Sequence, residues 1–385
     1  MRARGCDVRR RSDGCTTVAA TNGTPVGGRN VEGIVRAQAA QRRLCGGRPV
    51  THAPVTAWPP HVERQRLGDR AQGCWRRPTG RWRQGGRRCQ RSRMQVIDSV
   101  EAWRKALRTE RSAGRSIGLV PTMGALHAGH TSLIARAVAE CDVVGVSVFV
   151  NPLQFGAQED LAAYPRTFAT DVELAEAGGA AYVFAPSTAE MFPGAGSWRP
   201  GRRPLATVVS VPSLSARWEG ESRPGHFDGV ATVVAKLLAQ AGPCRAYFGE
   251  KDFQQLCIVR RMALDLDLGV DVVGCATVRE PDGLALSSRN AYLTAAERAV
   301  APVLHRALTA GAAEVGAGAP PEVARGVMHD MVAAEPAMSL IYGEVVDPGS
   351  LERLDADLVP GGSARLLIAA RLGRARLIDN VEVTR

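Results

Sequence analysis

Residues 117–130 read IGLVPTMGALHAGH, an apolar run that leads into a loop with two glycines and two histidines. The apolar part, 117–121, predicts a buried strand, and the residues from about 129 to 140 predict a helix. A glycine-containing loop at a helix N-terminus presents free backbone N–H groups and the positive end of the helix dipole, which attract anions. The stretch therefore predicts an α/β fold with a phosphate-binding loop.

The alternation of strand and helix continues on the C-terminal side of this loop. Strands are predicted at 143–150, 182–185, 246–249 and 271–278, and helices at 230–240 and 253–264. Such alternation is typical of a Rossmann-like parallel sheet covered by helices on both faces. Ligands then bind beyond the carboxyl ends of the strands.

Beyond residue 278 the pattern changes. Helical stretches are predicted at 295–312 and 321–333, and short strands near 341–346, 364–370 and 375–378. The sequence Pro281-Asp282-Gly283 predicts a turn at a hinge. We therefore expect a Rossmann-like domain at 94–277, a smaller α+β lid domain at 278–385, and an Arg-rich leader at 1–93.

The whole chain has a net charge of +11, and all of the excess positive charge lies in the leader. Residues 1–93 hold 21 arginines, no lysine and 5 acidic residues, a net +16, whereas residues 94–385 carry −5. A mildly acidic body gives no reason to expect binding to a polyanion. We therefore predict no nucleic-acid partner for the body of the chain.

The composition of the leader predicts disorder. A segment rich in Gly, Pro and Arg cannot bury enough apolar area to offset the entropy lost on ordering. Trp75 and Trp82 lie among arginines, a pattern that would suit single-stranded nucleic acid. We favour another interpretation, in which the native protein starts at Met94, where ordered sequence begins. A transit peptide is a weaker third option, because such peptides are amphipathic and this segment is not.

Compartment is predicted from cysteines and apolar runs. The four body cysteines, Cys141, Cys244, Cys257 and Cys275, stand in apolar contexts without metal-binding spacing, as buried thiols do in a reducing compartment. The sequence has neither an apolar run of about 18 residues nor the apolar core of a secretory signal. The sequence therefore predicts a cytoplasmic protein without a membrane partner.

The loop His127-Ala128-Gly129-His130 carries the first chemical signal. Two histidines three residues apart can point into the same space and hydrogen-bond phosphate oxygens as charge moves onto a leaving pyrophosphate. Histidine suits this role because its charge is easily tuned near neutral pH. For this motif alone, helix caps or chance surface residues are an equally good interpretation.

Three further segments follow strand ends or the hinge. Asn151 and Gln154 offer neutral amides beside an apolar wall, which suits a small hydroxy acid, although Asn-Pro alone is only a turn signal. Lys251 is one of three lysines in 94–385 and follows Gly249 at a strand end, where it would neutralise phosphate; Asp252 could be a helix N-cap, a ligand or both. Residues 287–289, Ser-Ser-Arg, form either a phosphate clamp on a mobile domain or a solvated loop.

With these four segments in this order, residues 94–385 resemble the pantothenate synthetase (pantoate–β-alanine ligase) family of the HxGH nucleotidyltransferase superfamily. The pieces 164–167 (YPRT), 226–230 (HFDGV), 277–280 (TVRE), 371–373 (RLG) and 377–380 (LIDN) also match that family. The resemblance implies that pantoate attacks the α-phosphorus of Mg-ATP to give pantoyl adenylate. The amine of β-alanine then displaces AMP to form pantothenate.

The resemblance also implies site residues. Catalytic roles fall to His130, His127, Lys251 and Arg289, with His130 usually given the acid role. Gln154 and Gln255, with Asn151 beside them, hold pantoate, and Gln154 also lies near β-alanine. The implied ATP-binding residues are Met123, Gly124, Ala125, Leu126, His127, Ala128, Gly129, His130, Gly249, Glu250, Lys251, Asp252, Val278, Leu286, Ser287, Ser288 and Arg289.

The metal and the quaternary structure are less well determined by the residues. Thr170 stands where some members of the family have an acidic residue near Mg²⁺, so Asp171 is the only nearby candidate ligand. The ion could instead be held mainly by ATP phosphates and water. The family also implies a homodimer. A rival interpretation is another HxGH nucleotidyltransferase, whose phosphorylated acceptor would call for extra Arg or Lys where this chain has Gln154 and Gln255.

Overall fold

The computed structural model describes residues 94–156, 161–162, 164–194 and 205–385, which fall within one compact unit of the chain, Gly86–Arg385. The leader, 1–93, lies outside the described residues, so its disorder and a start at Met94 stay predictions. Among the described residues, no helix is both long and apolar enough to span a bilayer.

A six-stranded parallel sheet forms the larger layer, which confirms the Rossmann-like prediction. Its strands are β1 (Gln95–Ile97), β2 (Ile117–Thr122), β3 (Val143–Val148), β4 (Tyr182–Phe184), β5 (Cys244–Gly249) and β6 (Val270–Cys275). The strand order is β1-β4-β3-β2-β5-β6, and every pairing is parallel. Because β2 and β3 are buried on both faces, they need helices on both sides.

Helices cover this sheet and connect its strands. They are α1 (Val100–Ser112), α2 (Ala128–Glu140), α3 (Phe168–Ala177), α4 (Thr188–Met191), α5 (Pro212–Ser215), α6 (Glu219–Ser222), α7 (His226–Ala241) and α8 (Phe253–Asp265). Trp103 of α1 is fully buried against the sheet and stacks on Phe184, with ring centroids 5.0 Å apart.

The C-terminal part is a three-stranded antiparallel sheet with helices against it, as the sequence predicts. Its elements are α9 (Ala295–Val300), α10 (Val303–Ala317), α11 (Pro321–Ala333), β7 (Met338–Val346), β8 (Ser363–Leu372) and β9 (Ala375–Thr384). The strands pair in the order β7-β8-β9 and are longer than expected from sequence. Pro281 to Gly283 form the predicted turn, closed by a bond from the N–H of Gly283 to the carbonyl of Glu280 at 2.9 Å.

Several predicted boundaries are wrong. The single helix expected at 295–312 is two helices. Pro302 has no N–H to continue the helical hydrogen bonds, and its ring clashes with a backbone carbonyl of the preceding turn. The strand expected at 143–150 ends at Val148, before the Asn151-Pro152 turn. The helix expected from 230 begins four residues earlier, at His226.

The sheet topology positions the candidate site. β2 and β5 lie side by side at the centre, while the chain continues from β2 toward one edge and from β5 toward the other. A crevice opens at such a point of reversal, beyond the carboxyl ends of the strands. The loops that carry His127 and Lys251 follow these two strands, so both reach the same crevice.

Candidate active site

The loop after β2 ends in two histidines that cap α2. His127 is the N-cap residue, and its Nδ1 accepts the backbone N–H of Gly129 at 3.1 Å. The Nδ1 atom of His130 accepts the backbone N–H of His127 at 3.3 Å, which completes a capping box. The two rings lie 4.1 Å apart between centroids. The cap interpretation of the motif is therefore correct for one nitrogen of each ring.

These hydrogen bonds determine the protonation of the rings. Because Nδ1 is an acceptor in both rings, the proton of each neutral imidazole is on Nε2. Burial, followed by the neighbouring His127 and Lys251, lowers the pKa of His130 to about 3, although Asp252 opposes this. Burial and Lys251 also lower the pKa of His127. At neutral pH both rings are therefore neutral Nε2–H donors.

The turn Glu250–Asp252 after β5 brings a cation and an anion to the same crevice. Lys251 Nζ lies 3.6 Å from Asp252 Oδ1. Burial opposes ionisation of Asp252, but the charges of Lys251, Arg289 and His226 outweigh it and lower its pKa. Asp252 occupies the N-cap position of α8, as one of the two interpretations predicts, but its side chain makes no capping hydrogen bond to the helix.

β9 and β8 hold this turn in place. The side-chain amide of Asn380 donates to the carbonyls of both Glu250 and Lys251 at 2.9 Å. Arg365 pairs with the Glu250 carboxylate at 3.1 Å, and its guanidinium lies 4.0 Å above the ring of Phe253. The C-terminal sheet thus fixes the backbone that carries Lys251.

The amide pair lies on the other side of the crevice. Asn151 is 1% exposed; its Nδ2 donates to Gln154 Oε1 and to the carbonyl of Gly229, each at 3.1 Å, and its Oδ1 accepts from Leu153. Gln154 in turn directs Nε2 to Met123 Sδ at 2.9 Å. Asn151 therefore orients Gln154, a role that the sequence does not reveal.

The loop after the hinge completes the site. Ser287 Oγ accepts the backbone N–H of Arg289 at 3.2 Å and so shapes the 3-10 turn Ser288–Tyr292. Asn290 donates to the carbonyl of Ala285 at 3.0 Å and ties the base of the loop. Ser288 also hydrogen-bonds Tyr164, whose pKa is raised mainly by burial.

One cavity of about 260 Å³ collects these groups from both sheets. Fifteen of the predicted residues line it: Met123, His127, Gly129, His130, Asn151, Gln154, Gly249, Lys251, Asp252, Gln255, Val278, Leu286, Ser287, Ser288 and Arg289. Five predicted ATP-binding residues do not line it: Gly124, Ala125, Leu126, Ala128 and Glu250. Four of them shape the loop after β2 and the start of α2, and the fifth, Glu250, forms the ion pair with Arg365.

Sequence reasoning missed an arginine and histidine group at the start of α7. The two ring nitrogens of His226 contact the carbonyl of Gln154 at 2.8 Å, through Nδ1, and Arg223 Nη1 at 2.9 Å, through Nε2. Arg223 and His226 both line the cavity. In the sequence, the segment 226–230 was noted only as a match to the family. The one signal that could have indicated a site there was a histidine at the start of a helix.

A buried acidic residue, Glu219, was also missed. Arg376 of β9 pairs with it at 2.9 Å from Nε to Oε1, and the hydroxyl of Tyr342 donates to it at 3.3 Å. These contacts join α6 to the C-terminal sheet at the wall of the cavity. No local pattern could have paired residues 157 positions apart.

The expected metal ligand, Asp171, does not fit that role. It is 2% exposed and its carboxylate accepts the backbone N–H groups of Ala125 and Leu126 and the hydroxyl of Thr167. It does not line the cavity. Within the described ranges, no group of three or more His, Cys, Asp or Glu residues could hold a metal ion.

Comparisons with known proteins agree with this architecture. The family model described as Pantoate-beta-alanine ligase matches residues 95–382. The pantothenate synthetase of Sinorhizobium medicae is 49% identical over 74% of this chain and 95% of its own length; that of Rubrobacter xylanophilus is 50% identical over 74% and 97%.

Solved structures are similar over the same region. Pantothenate synthetase from Thermus thermophilus has a TM-score of 0.69 and 47% identity, covering 76% of this chain and all of its own. Pantoate-beta-alanine ligase from Francisella tularensis, complexed with beta-gamma ATP and beta-alanine, has a TM-score of 0.58 and 31% identity, covering 75% and 97%.

Proposed function

The chain belongs to the pantoate–β-alanine ligase family, and we propose that the cavity between its two sheets is where it carries out its reaction. The chain condenses pantoate with β-alanine in an ATP-dependent reaction through pantoyl adenylate, releasing AMP and pyrophosphate. The observation that supports the placement is the convergence of phosphate-binding groups and neutral amides on one cavity.

The phosphate side is formed by the loop after β2, the turn after β5 and the loop after the hinge. The Nε2–H groups of His127 and His130 donate to phosphate oxygens, and Lys251 and Arg289 supply positive charge. When the carboxylate oxygen of pantoate attacks the α-phosphorus, the bond to the pyrophosphate oxygen breaks. These four groups then stabilise the charge that moves onto pyrophosphate.

The acid side is formed by the amides. Gln154 and Gln255 hold pantoate, and Asn151 fixes the orientation of Gln154. The amine of β-alanine approaches beside Gln154, attacks the acyl carbon and loses a proton as AMP departs. The cavity lies between the two sheets, where it holds the amine and the acyl group of the mixed anhydride together and limits the access of water.

We assign Mg²⁺ to the ATP phosphates and to water, since Asp171 does not fit as a ligand. When bound, the ion neutralises the charge of the phosphates.

Four free cysteines in the described chain agree with a reducing compartment, and we propose the cytoplasm. The homodimer implied by the family resemblance is likewise a proposal, and sedimentation equilibrium of the full chain tests it.

The experiment that tests the function is ATP–pyrophosphate exchange by the full chain, with pantoate, lactate or no acid added. We expect exchange only with pantoate, and AMP release only when β-alanine is added as well. Exchange no faster with pantoate than without it would refute the proposed adenylation step. The rival, transfer of a nucleotidyl group to a phosphorylated acceptor, predicts no AMP at any stage.

A further inference from the structure

Asp171 touches the phosphate-binding loop through its carboxylate. It lies in the first turn of α3, and its Oδ1 accepts the backbone N–H of Leu126 at 2.8 Å. Its Oδ2 accepts the backbone N–H of Ala125 at 3.1 Å. The Thr167 hydroxyl donates to Oδ1 at 3.1 Å and orients the carboxylate. Both oxygens are therefore used by the protein itself.

The loop has a shape that needs such support. Gly124 and Ala125 have φ values of +83° and +51°, so two consecutive residues are left-handed. For a residue with a side chain, such as Ala125, this conformation costs on the order of 1 kcal/mol or more. Successive backbone N–H groups in this geometry converge on an anion. Here that anion is a carboxylate of the same chain.

Carboxylate and loop are packed too closely for a metal ion between them. A Cβ added at Gly124 would lie 2.8 Å from Asp171 Oδ2 and 3.1 Å from Val148 Cγ1. Mg²⁺ requires near-octahedral oxygen ligands at about 2.1 Å and keeps several waters. The contact leaves no such space on the side of the carboxylate that faces the loop.

We propose that Asp171 is a positioning residue: it holds residues 124–126 in the shape that presents His127, Gly129 and His130 to ATP, and it is not a ligand of Mg²⁺. The inference rests on the proposed function of the cavity as the ATP site. It also explains why Ala125 and Leu126 do not line that cavity, since their N–H groups bind Asp171.

Binding of ATP in the presence of EDTA separates the two roles by the sign of the effect. In Asp171→Asn, an NH₂ group faces one of the two backbone donors, and the loop loses its support. We expect the dissociation constant for metal-free ATP, measured by calorimetry on the full chain, to rise at least about 10-fold, the effect of losing roughly 1.4 kcal/mol. A carboxylate that acted only through a metal would give tighter binding, because its removal lowers the negative charge near the phosphates.

Two other variants serve as control and second test. Asp142 also accepts a backbone N–H, that of Ser116 at 2.9 Å, and does not line the cavity. Asp142→Asn is therefore expected to bind ATP like the wild type. Thr167→Val removes the hydroxyl that orients the Asp171 carboxylate, leaves residues 124–126 unchanged, and is expected to weaken metal-free ATP binding in the same direction. It decides the matter if Asp171→Asn does not fold.

Unchanged or tighter metal-free ATP binding by a folded Asp171→Asn would overturn the inference. So would a rise in the Mg²⁺ concentration that half-saturates exchange, which we expect to stay within about 2-fold of the wild type because no metal ligand is lost. A wild-type chain that binds ATP but shows no pantoate-dependent exchange would refute the proposed function and leave the role of Asp171 standing.

Discussion

His130 Nδ1 accepts the backbone N–H of His127, so one nitrogen of the ring belongs to the helix and the other to the cavity. The helix-cap interpretation holds at the Nδ1 atoms, and the proposed contact with phosphate falls on the Nε2 atoms of the same side chains. A substitution can therefore separate them.

His130→Asn is expected to keep the cap and lose the ligand. The Asn Oδ1 can take the position of Nδ1, whereas nothing replaces the Nε2–H donor. We expect pantoate-dependent exchange to fall by about 10² to 10³, the usual effect of removing one donor to a developing charge. The melting temperature should stay close to that of the wild type. His130→Ala should lose exchange to a similar degree and about 1 kcal/mol of stability as well. Near-wild-type exchange by either variant would remove His130 from the mechanism.

Burial of the His130 ring makes the stability of the fold sensitive to acid. The pKa of His130 is about 3 in the folded chain and near 6.5 when unfolded, so between these values the unfolded chain binds a proton that the folded chain does not. Above pH 6.5 the titration of His130 does not change the free energy of unfolding. As the pH falls from 6.5 toward 3, it lowers the free energy of unfolding by at most about 1.4 kcal/mol per pH unit. Urea unfolding of wild type and His130→Asn at pH 7 and pH 5 checks this. Stability should fall less in the variant, and parallel losses would contradict the assignment.

The sequence predicts what is local. The loops after β2 and β5 combine glycine, histidine or lysine with a strand end, and each of those signals lies within about ten residues. Chain order and sheet rules then place them at one crevice.

The sequence does not reveal which polar side chains hydrogen-bond within the protein and are therefore not available to a ligand. Asp171 is an acidic residue near a phosphate site, which suggests a metal, yet its oxygens bind loop N–H groups some 45 positions away. Asn151 is an amide at a strand end, which suggests a ligand, yet its Nδ2 and Oδ1 are both used to support Gln154 and its turn. Such contacts depend on the assembled fold and have no local signature.

Asn380→Leu tests whether the C-terminal sheet positions Lys251. The change keeps the number of side-chain heavy atoms but removes the amide that donates to the carbonyls of Glu250 and Lys251 and the Oδ1 that accepts from Arg365, and each buried group left unpaired costs about 1–3 kcal/mol. We expect a lower melting temperature and a higher KM for ATP, because the turn that carries Lys251 loosens. The control is Glu382→Gln: Glu382 is an exposed partner of Arg365 at 3.2 Å, and such surface pairs contribute about 0–1 kcal/mol. A change in melting temperature without any change in KM would restrict Asn380 to a purely structural role.

Gly229→Ala is expected to damage the acid side of the cavity selectively. A Cβ at Gly229 would lie 2.2 Å from the carbonyl oxygen of Leu153 and 2.7 Å from the backbone nitrogen of Gln154, and backbone cannot swing aside. The Pro152–Gln154 turn must therefore shift, and Gln154 with it. We expect the KM for pantoate to rise at least about 10-fold, since displacements near 1 Å can cost 10²-fold, while the KM for ATP changes much less. Gly326→Ala is the matched control: it is also helical, has open space around its Cα, and should be neutral or slightly stabilising. Equal increases in both KM values would show that the shift spreads to the phosphate loops and is not confined to the amides.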